Sequence, residues 1–204
     1  MKRLFVFIFA VTSLAACTST SSENIQQKPE SVTLLAYDAF TPEPGIFDEF
    51  TKDTGIDVKV VTGGDSGVLI SKAILTAGNP EGDVLWGVDN TMLSRAQQAS
   101  LLTSYEPVNT GDICINADKE WFANSDVPMP TRLEDLMLPQ YRGLLVTQDP
   151  VASSPGLGFL LGTIAHFGEG QWQKFWAALK GYAHIAPDWT TAYTVDFSGS
   201  SGNG

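Results

Sequence analysis

Hydrophobic and polar positions along the first half of the chain repeat with two periods, one typical of strands and one typical of helices. Short apolar runs predict strands at residues 32–37, 56–61 and 83–88. Apolar positions at helical spacing predict helices at residues 45–54, 66–77 and 90–99. Gly55 and Gly78 follow the first two helices and are typical stop signals.

This alternating order predicts a largely parallel α/β sheet with helices on both faces, because parallel neighbours need a crossover connection. In such sheets ligands bind beyond the carboxyl ends of the strands, where the connecting loops gather. The loops expected there are residues 37–40, 62–66, 88–90, 148–156 and 188–193. They are rich in aromatic, acidic and hydroxyl side chains, so they form the predicted binding region.

The second half, from about residue 108, repeats the pattern less regularly. Strands are predicted at residues 112–116, 144–147 and 183–186. Helices are predicted at residues 118–123, 131–138, 156–167 and 171–180. A Thr-x-x-Glu capping box, formed by Thr131 and Glu134, is the predicted start of the second of these helices. A second α/β unit is therefore expected after residue 107.

The N-terminal residues predict export. Lys2 and Arg3 precede an apolar run at residues 4–10, and the small residues Leu14-Ala15-Ala16-Cys17 follow. This order is typical of a secretory signal peptide, predicted here at residues 1–16. The Leu-Ala-Ala-Cys ending resembles a bacterial lipoprotein box, which predicts a lipid on Cys17; the alternative is ordinary cleavage beside an incidental cysteine. Residues 17–30 are rich in Ser, Thr and Gln and predict a flexible tether.

Charge and cysteine content narrow the function further. The formal net charge is −11, which argues against nucleic-acid binding and suits a cationic ligand. No segment after the signal peptide is long and apolar enough to predict a membrane span. If Cys17 carries a lipid, Cys114 has no partner for a disulfide. Cys114 lies in an apolar run and is predicted to be a buried small hydrophobe.

The stretch Gly64-Asp65-Ser66-Gly67 resembles the sequence around the nucleophile of a trypsin-type protease. A serine nucleophile needs a neighbouring base, but His166 and His184 fall on a predicted helix and strand, away from the binding loops. Ser66 is therefore predicted to be a helix N-cap, with Asp65 facing the cleft. The sequence also has no Cys/His cluster, P-loop or complete dinucleotide fingerprint, so neither a metal site nor a nucleotide cofactor is expected.

Aromatic residues near acids are the remaining candidates for ligand contact. Tyr37, Trp189 and Tyr193 fall in the predicted loops, and an aromatic face attracts a cation. The nearby acids are Asp38, Asp65, Asp89 and Asp188. The other tryptophans are assigned to packing: Trp86, Trp121, Trp172 and Trp176.

Five motifs, in order, resemble those of the substrate-binding proteins of bacterial thiamine ABC transporters, a periplasmic binding protein family. They are Tyr37-Asp38-Ala39-Phe40, Gly64-Asp65-Ser66-Gly67, residues 83–90, residues 148–158 and residues 188–193. The resemblance implies a two-lobe α/β fold of type II. It places lobe 1 at residues 31–107 and a partial, incomplete lobe 2 at residues 108–204.

The resemblance also implies a set of ligand-binding residues: Tyr37, Asp65, Ser66, Asp89, Ser154, Trp189 and Tyr193. It implies a monomeric lipoprotein, in the periplasm or on the outer face of the cell membrane, that captures thiamine or a thiamine phosphate. The protein would pass the ligand to the permease of an ABC importer, without being an enzyme and without a cofactor. The cationic thiazolium of thiamine suits aromatic faces and acids.

Alternatives stay open at this point. Another small cation or iron is a second ligand hypothesis, and an enzyme that uses Ser66 is the hypothesis from a different class. The chain is shorter than the family near residue 107, and it stops where the family continues with further pocket residues. A truncated remnant that binds nothing is therefore a third hypothesis.

Overall fold

The computed structural model describes residues 28–198 of the 204-residue chain. The predicted signal peptide, the predicted lipid-bearing Cys17 and most of the predicted tether lie outside the described residues. Within residues 28–198, no helix is long and apolar enough to cross a membrane. Residues 31–107 are called lobe 1 and residues 108–198 lobe 2, after the predicted boundary.

Lobe 1 contains a three-stranded parallel sheet in the order β2-β1-β3. The strands are β1 (Ser31–Ala36), β2 (Asp57–Thr62) and β3 (Val84–Trp86). The helices between and after them are α1 (Asp48–Thr54), α2 (Ser66–Leu75) and α3 (Leu93–Gln98). The predicted order of alternating strands and helices is confirmed, although β3 and all three helices are shorter than their patterns predicted.

The central strand and α2 carry the core of lobe 1. Leu34 and Leu35 of β1 are buried, and so are Leu69 and Ile70 of α2. Removing such side chains from water is the main favourable term in folding and holds α2 against the sheet. As a result, the first turn of α2 lies at the carboxyl edge of the sheet, where β1 ends at Ala36.

Lobe 2 contains a parallel pair of strands, β4 (Leu145–Gln148) and β5 (Ala183–Ala186). The crossover between them consists of α5 (Ser154–Phe167) and α6 (Trp172–Leu179). Before β4 come α4 (Lys119–Asn124) and two short 3₁₀ helices, Leu133–Met137 and Pro139–Tyr141. After β5 comes a π-helix, Thr191–Phe197, named the final helix.

The core of lobe 2 forms around α6. Phe175 and Leu179 are buried with Leu136, and the ring of Phe175 stacks on Phe167 at a centroid distance of 4.8 Å. The indole N–H of Trp176, predicted to pack, donates to the buried Thr163 hydroxyl at 2.9 Å. This polar contact satisfies the tryptophan nitrogen inside an apolar cluster and orients α5 relative to α6.

The predictions for three segments of lobe 2 are wrong. Residues 112–116 form no strand and are exposed, so Cys114 is exposed and not buried. The helix predicted at residues 131–138 is a shorter 3₁₀ helix, and its capping carboxylate belongs to Asp135, which accepts from the N–H groups of Thr131 and Arg132. Residues 189–193, predicted to be a loop, are helical.

Glu134 has a different role from the predicted cap. Its Oε1 lies 2.9 Å from Nε2 of His166 on α5, and this hydrogen bond lowers the pKa of Glu134. His184 of β5 likewise lies 3.3 Å from Asp196 of the final helix. Each histidine therefore lies beside a carboxylate of lobe 2, and neither histidine lines the cleft that contains Ser66.

Candidate functional site

A cleft of about 1520 Å³ opens at the carboxyl ends of β1 and β3 and extends to lobe 2. Its walls come from the loops after the three strands of lobe 1, from residues 80–83 before β3, from residues 100–113, from the start of α5 and from residues 188–191. Of the seven predicted ligand-binding residues, six line this cleft: Tyr37, Asp65, Ser66, Asp89, Ser154 and Trp189. Tyr193 does not line it.

One wall of the cleft is aromatic. Tyr37 follows β1 directly, and its ring lies on Gly87, where a Cβ atom would approach Tyr37 Cδ1 to 2.3 Å. Gly87 also has a φ of 100°, so this position favours glycine on both counts. Phe40 packs beside Tyr37 and contacts Trp86 at a centroid distance of 5.3 Å. Trp86 thus lines the cleft, although it was predicted to serve packing alone.

The first turn of α2 forms the floor of the cleft. Asp65, and not Ser66, is the N-cap residue: its Oδ1 accepts from the Ser66 N–H at 2.7 Å. Ser66 is the first helical residue and is only 4% exposed, so little of its hydroxyl faces the cleft. The loop before α2 is fixed by Asp38, which accepts from the Gly64 N–H at 2.8 Å and donates its own N–H to the Gly64 carbonyl.

The same turn of α2 touches lobe 2 at two points. Oδ2 of Asp65 accepts from the Trp189 backbone N–H at 3.0 Å. The Gly67 N–H donates to the Ala152 carbonyl at 2.8 Å. The two lobes therefore meet through hydrogen bonds at the bottom of the cleft.

Two further predicted residues lie at helix starts on opposite sides of the cleft. Oδ1 of Asp89 accepts from the Thr91 N–H at 3.0 Å, the Thr91 hydroxyl at 2.6 Å and the Met92 N–H at 3.2 Å, which orders the chain before α3. Ser154 is the first residue of α5 and is 8% exposed. Both positions bring polar groups to the cleft from the ends of short loops.

An aromatic column runs back from the cleft along the final helix. The rings of Trp189 and Tyr193 stack with centroids 5.0 Å apart and an interplanar angle of 14°. Tyr193 stacks in turn on Phe197 at 5.9 Å. In this arrangement Trp189 lines the cleft, and Tyr193, which does not line it, stacks on the Trp189 ring. Direct contact between Tyr193 and a ligand stays a prediction.

The cleft is strongly acidic. Among the described residues that line it, eight are Asp or Glu and none is Lys, Arg or His, although one of the acids, Glu81, pairs with Lys72 at 2.7 Å. The acids are Asp38, Asp65, Glu81, Asp83, Asp89, Glu106, Asp112 and Asp188. A cleft lined by one sign of charge focuses its field and raises the local concentration of the opposite ion. Within residues 28–198, no three His, Cys, Asp or Glu side chains are arranged to hold a metal ion.

Comparison with known proteins decides the family. A model of bacterial extracellular solute-binding proteins matches residues 84–200, more than half of the chain. The chain belongs to this family. Membership accounts for a cleft between two lobes, and it places the chain among the extracellular solute-binding proteins.

Curated relatives of this solute-binding protein carry a more specific description. "Thiamine-binding periplasmic protein" of Brucella suis is 25% identical over 95% of this chain and 61% of its own length. The protein of the same description from Escherichia coli K12 is 26% identical over 83% of this chain and 58% of its own length. The chain therefore spans about three fifths of the relatives it matches.

Solved structures confirm the two-lobe type II fold of the solute-binding family. The "Periplasmic thiamin binding protein" aligns with a TM-score of 0.64 and 22% identity, over 83% of this chain and 59% of that one. Iron-bound HitA from Pseudomonas aeruginosa aligns with a TM-score of 0.59 and 23% identity, over 84% and 60%. At these identities the alignments establish the fold alone.

Sequence reasoning missed three parts of the cleft of this solute-binding protein. Trp86 is the last residue of the three-residue strand β3 and lines the cleft. The predicted strand continued to residue 88, which placed Trp86 inside the strand and away from the binding loops. Residues 100–113 line the cleft without forming a helix or strand, and residues 100–111 lie outside every predicted helix and strand. The contact between Gly67 and Ala152 joins distant parts of the chain.

Proposed function

We propose that this solute-binding protein captures thiamine, in preference to its negatively charged phosphates, outside the cytoplasm and passes it to the permease of an ABC importer. The acidic, aromatic cleft is the observation that carries the proposal. Seven carboxylates besides Glu81, which pairs with Lys72, and no basic side chain among the described lining residues favour a cationic ligand. The curated relatives described as thiamine-binding support thiamine as that cation.

The cleft offers matching chemistry for both rings of thiamine. The thiazolium is a cation that suits the aromatic faces of Tyr37 and Trp189, which lie in the two lobes. The aminopyrimidine is planar, so it can stack, and it carries hydrogen-bonding groups that suit Asp89 and Ser154. In this proposal aromatic faces hold the cation, while the acids supply the attractive field.

The setting of the protein is part of the same proposal. Periplasmic relatives support an exported protein, and the sequence pattern before Cys17 supports a lipid anchor there. The anchor would keep a monomeric binding protein close to the membrane that holds its permease. Labelling with radioactive palmitate, in the wild type and in Cys17→Ser, would test the anchor by itself.

Calorimetry with thiamine is the test of the ligand. Trp189→Ala should raise the Kd for thiamine by roughly two- to thirtyfold, the range expected for one cation–π contact. Trp121→Ala is the matched control, because Trp121 is also partly exposed but lies outside the cleft. Absence of any heat signal with a folded wild-type chain, or equal losses in both variants, would refute the assignment.

Iron is the second ligand hypothesis from the sequence, but within residues 28–198 no three His, Cys, Asp or Glu side chains are arranged to hold it. Titration with ferric citrate, alone and against bound thiamine, separates the two candidates. Under the thiamine proposal ferric ion neither binds tightly nor displaces thiamine. Tight ferric binding in the absence of thiamine affinity would support the iron candidate instead.

A further inference from the structure

We propose that the first turn of α2 is an interlobe clasp, in which Asp65 is a positioning residue for Trp189 and Gly67 permits the backbones of the two lobes to meet. This inference deepens the proposed function and rests on it for the identity of the ligand. It changes the role of Asp65, which sequence reasoning assigned to direct ligand contact.

The carboxylate of Asp65 joins two elements with its two oxygens. Oδ1 accepts from the Ser66 N–H at 2.7 Å, which caps α2. Oδ2 accepts from the Trp189 N–H at 3.0 Å, across 124 positions of sequence. Hydrogen bonds to an ionised acceptor are roughly twice as strong as neutral ones. Asp65 therefore acts on a ligand through Trp189, whose backbone it fixes.

Gly67 makes the second point of the clasp, and only glycine fits there. Its N–H donates to the Ala152 carbonyl at 2.8 Å. A Cβ atom at this position would lie 2.2 Å from the Val151 carbonyl oxygen and 2.7 Å from the Ala152 carbonyl oxygen. Both distances are far below van der Waals contact and involve backbone atoms, so any larger residue must push the lobes apart.

The position of the Trp189 ring follows from the clasp. Its N–H is held by Asp65 on the side of lobe 1. On the side of lobe 2, Oδ1 of Asp188 accepts from the Thr191 N–H at 2.6 Å, and Tyr193 stacks behind the indole. The ring that faces the cleft is thus fixed from both lobes, and opening the clasp releases one of its two supports.

Asp65→Ser separates the clasp from simple capping of α2. Serine is as good an N-cap as aspartate, but it is one atom shorter and has a single oxygen. It can therefore cap α2 but cannot also reach Trp189. Gly67→Ala opens the second point, and Gly78→Ala is its matched control, since nothing lies within 4 Å of a Cβ at Gly78.

Hydrogen–deuterium exchange of the ligand-free protein tests the clasp directly. Asp65→Ser should speed exchange at the Trp189 amide by roughly tenfold or more, and Gly67→Ala should do the same for residues 67 and 189. Gly78→Ala should leave both unchanged. If Asp65→Ser leaves the Trp189 amide as slow as in the wild type, or Gly67→Ala behaves like Gly78→Ala, the clasp is refuted.

Thiamine binding then distinguishes the two proposals. If the clasp positions Trp189, Asp65→Ser should speed thiamine dissociation several-fold and leave the association rate nearly unchanged. It should also shift the fluorescence emission of Trp189, which is isolated by comparison with Trp189→Phe. Slower association with normal exchange would show instead that Asp65 attracts the cation directly, against the clasp. If the variants show the expected differences in exchange but the wild type binds no thiamine, the clasp is supported and thiamine is refuted as the ligand.

Discussion

Gly87→Ala tests whether the aromatic wall of the cleft is positioned by backbone contact. Gly87 has a φ of 100°, and the ring of Tyr37 lies where its Cβ would be, with Cδ1 at 2.3 Å and Cε1 at 2.9 Å. A methyl group at this position must therefore displace the ring. Because Cδ1 lies near the base of the ring, the displacement requires rotation of the whole side chain.

The expected cost has two components. Backbone strain at an unfavourable positive φ costs about 1–3 kcal/mol of folding free energy. Forcing Tyr37 off its rotamer costs about 0.5–1.5 kcal/mol more. If the ring also loses its alignment with a bound cation, the Kd for thiamine should rise by roughly two- to thirtyfold, the range for one cation–π contact.

Gly143→Ala is the matched control, because Gly143 also has a positive φ, of 79°, but nothing lies within 4 Å of its Cβ. It carries the backbone strain without the clash, so the difference between the variants isolates the displacement of Tyr37. Urea unfolding and thiamine calorimetry measure the two quantities. Equal stability and equal affinity in both variants would refute the reasoning that Gly87 positions Tyr37.

Two further predictions concern lobe 2. Phe175→Ala should lower the free energy of unfolding by about 3–5 kcal/mol, because Phe175 is 1% exposed, while Gln173→Ala on the exposed side of α6 should change it by less than about 0.5 kcal/mol in urea titrations. Hydrogen bonds lower the pKa of Asp135, and the one from the Thr131 N–H has the largest effect. The ionised Asp135 carboxylate therefore stabilises the fold above the unfolded pKa of about 3.9, and this stabilisation is lost in stronger acid. Asp135→Asn should therefore have a lower urea midpoint than the wild type at pH 7 but the same midpoint near pH 2; a difference that persists in acid would contradict this origin.

Sequence periodicity predicted the strands and helices that pair or pack within the described residues. β5 lies at residues 183–186 as predicted, and the predicted strand at 144–147 is shifted by one residue. The predicted strand at residues 112–116 has the same alternation, with Ile113 and Ile115 at alternate positions, but no strand of the described chain pairs with it. Alternation shows which side chains share a face, but it does not show whether a hydrogen-bonding neighbour strand exists. The alternation alone therefore could not exclude a strand at residues 112–116.

The site was predictable to the extent that strand ends determine it. Tyr37 and Asp89 follow β1 and β3 closely, so parallel pairing brings them to one edge of the sheet. The role of Asp65 was not predictable, because its second partner is a backbone N–H 124 positions away. Tyr193 was assigned to a loop, but in the final helix it lies four residues after Trp189 and therefore stacks behind it.

The acidic character of the cleft follows from how its loops are built. Asp38, Asp89 and Asp188 each accept backbone N–H groups at the start of a turn or helix, so the fold needs these carboxylates whether or not a ligand is present. The loops that hold these three residues converge on one cleft. The attraction for a cation is therefore a consequence of the same capping bonds that order the loops. Aromatic rings, which cap nothing, are then the part of the cleft where selection among cations is expected to reside.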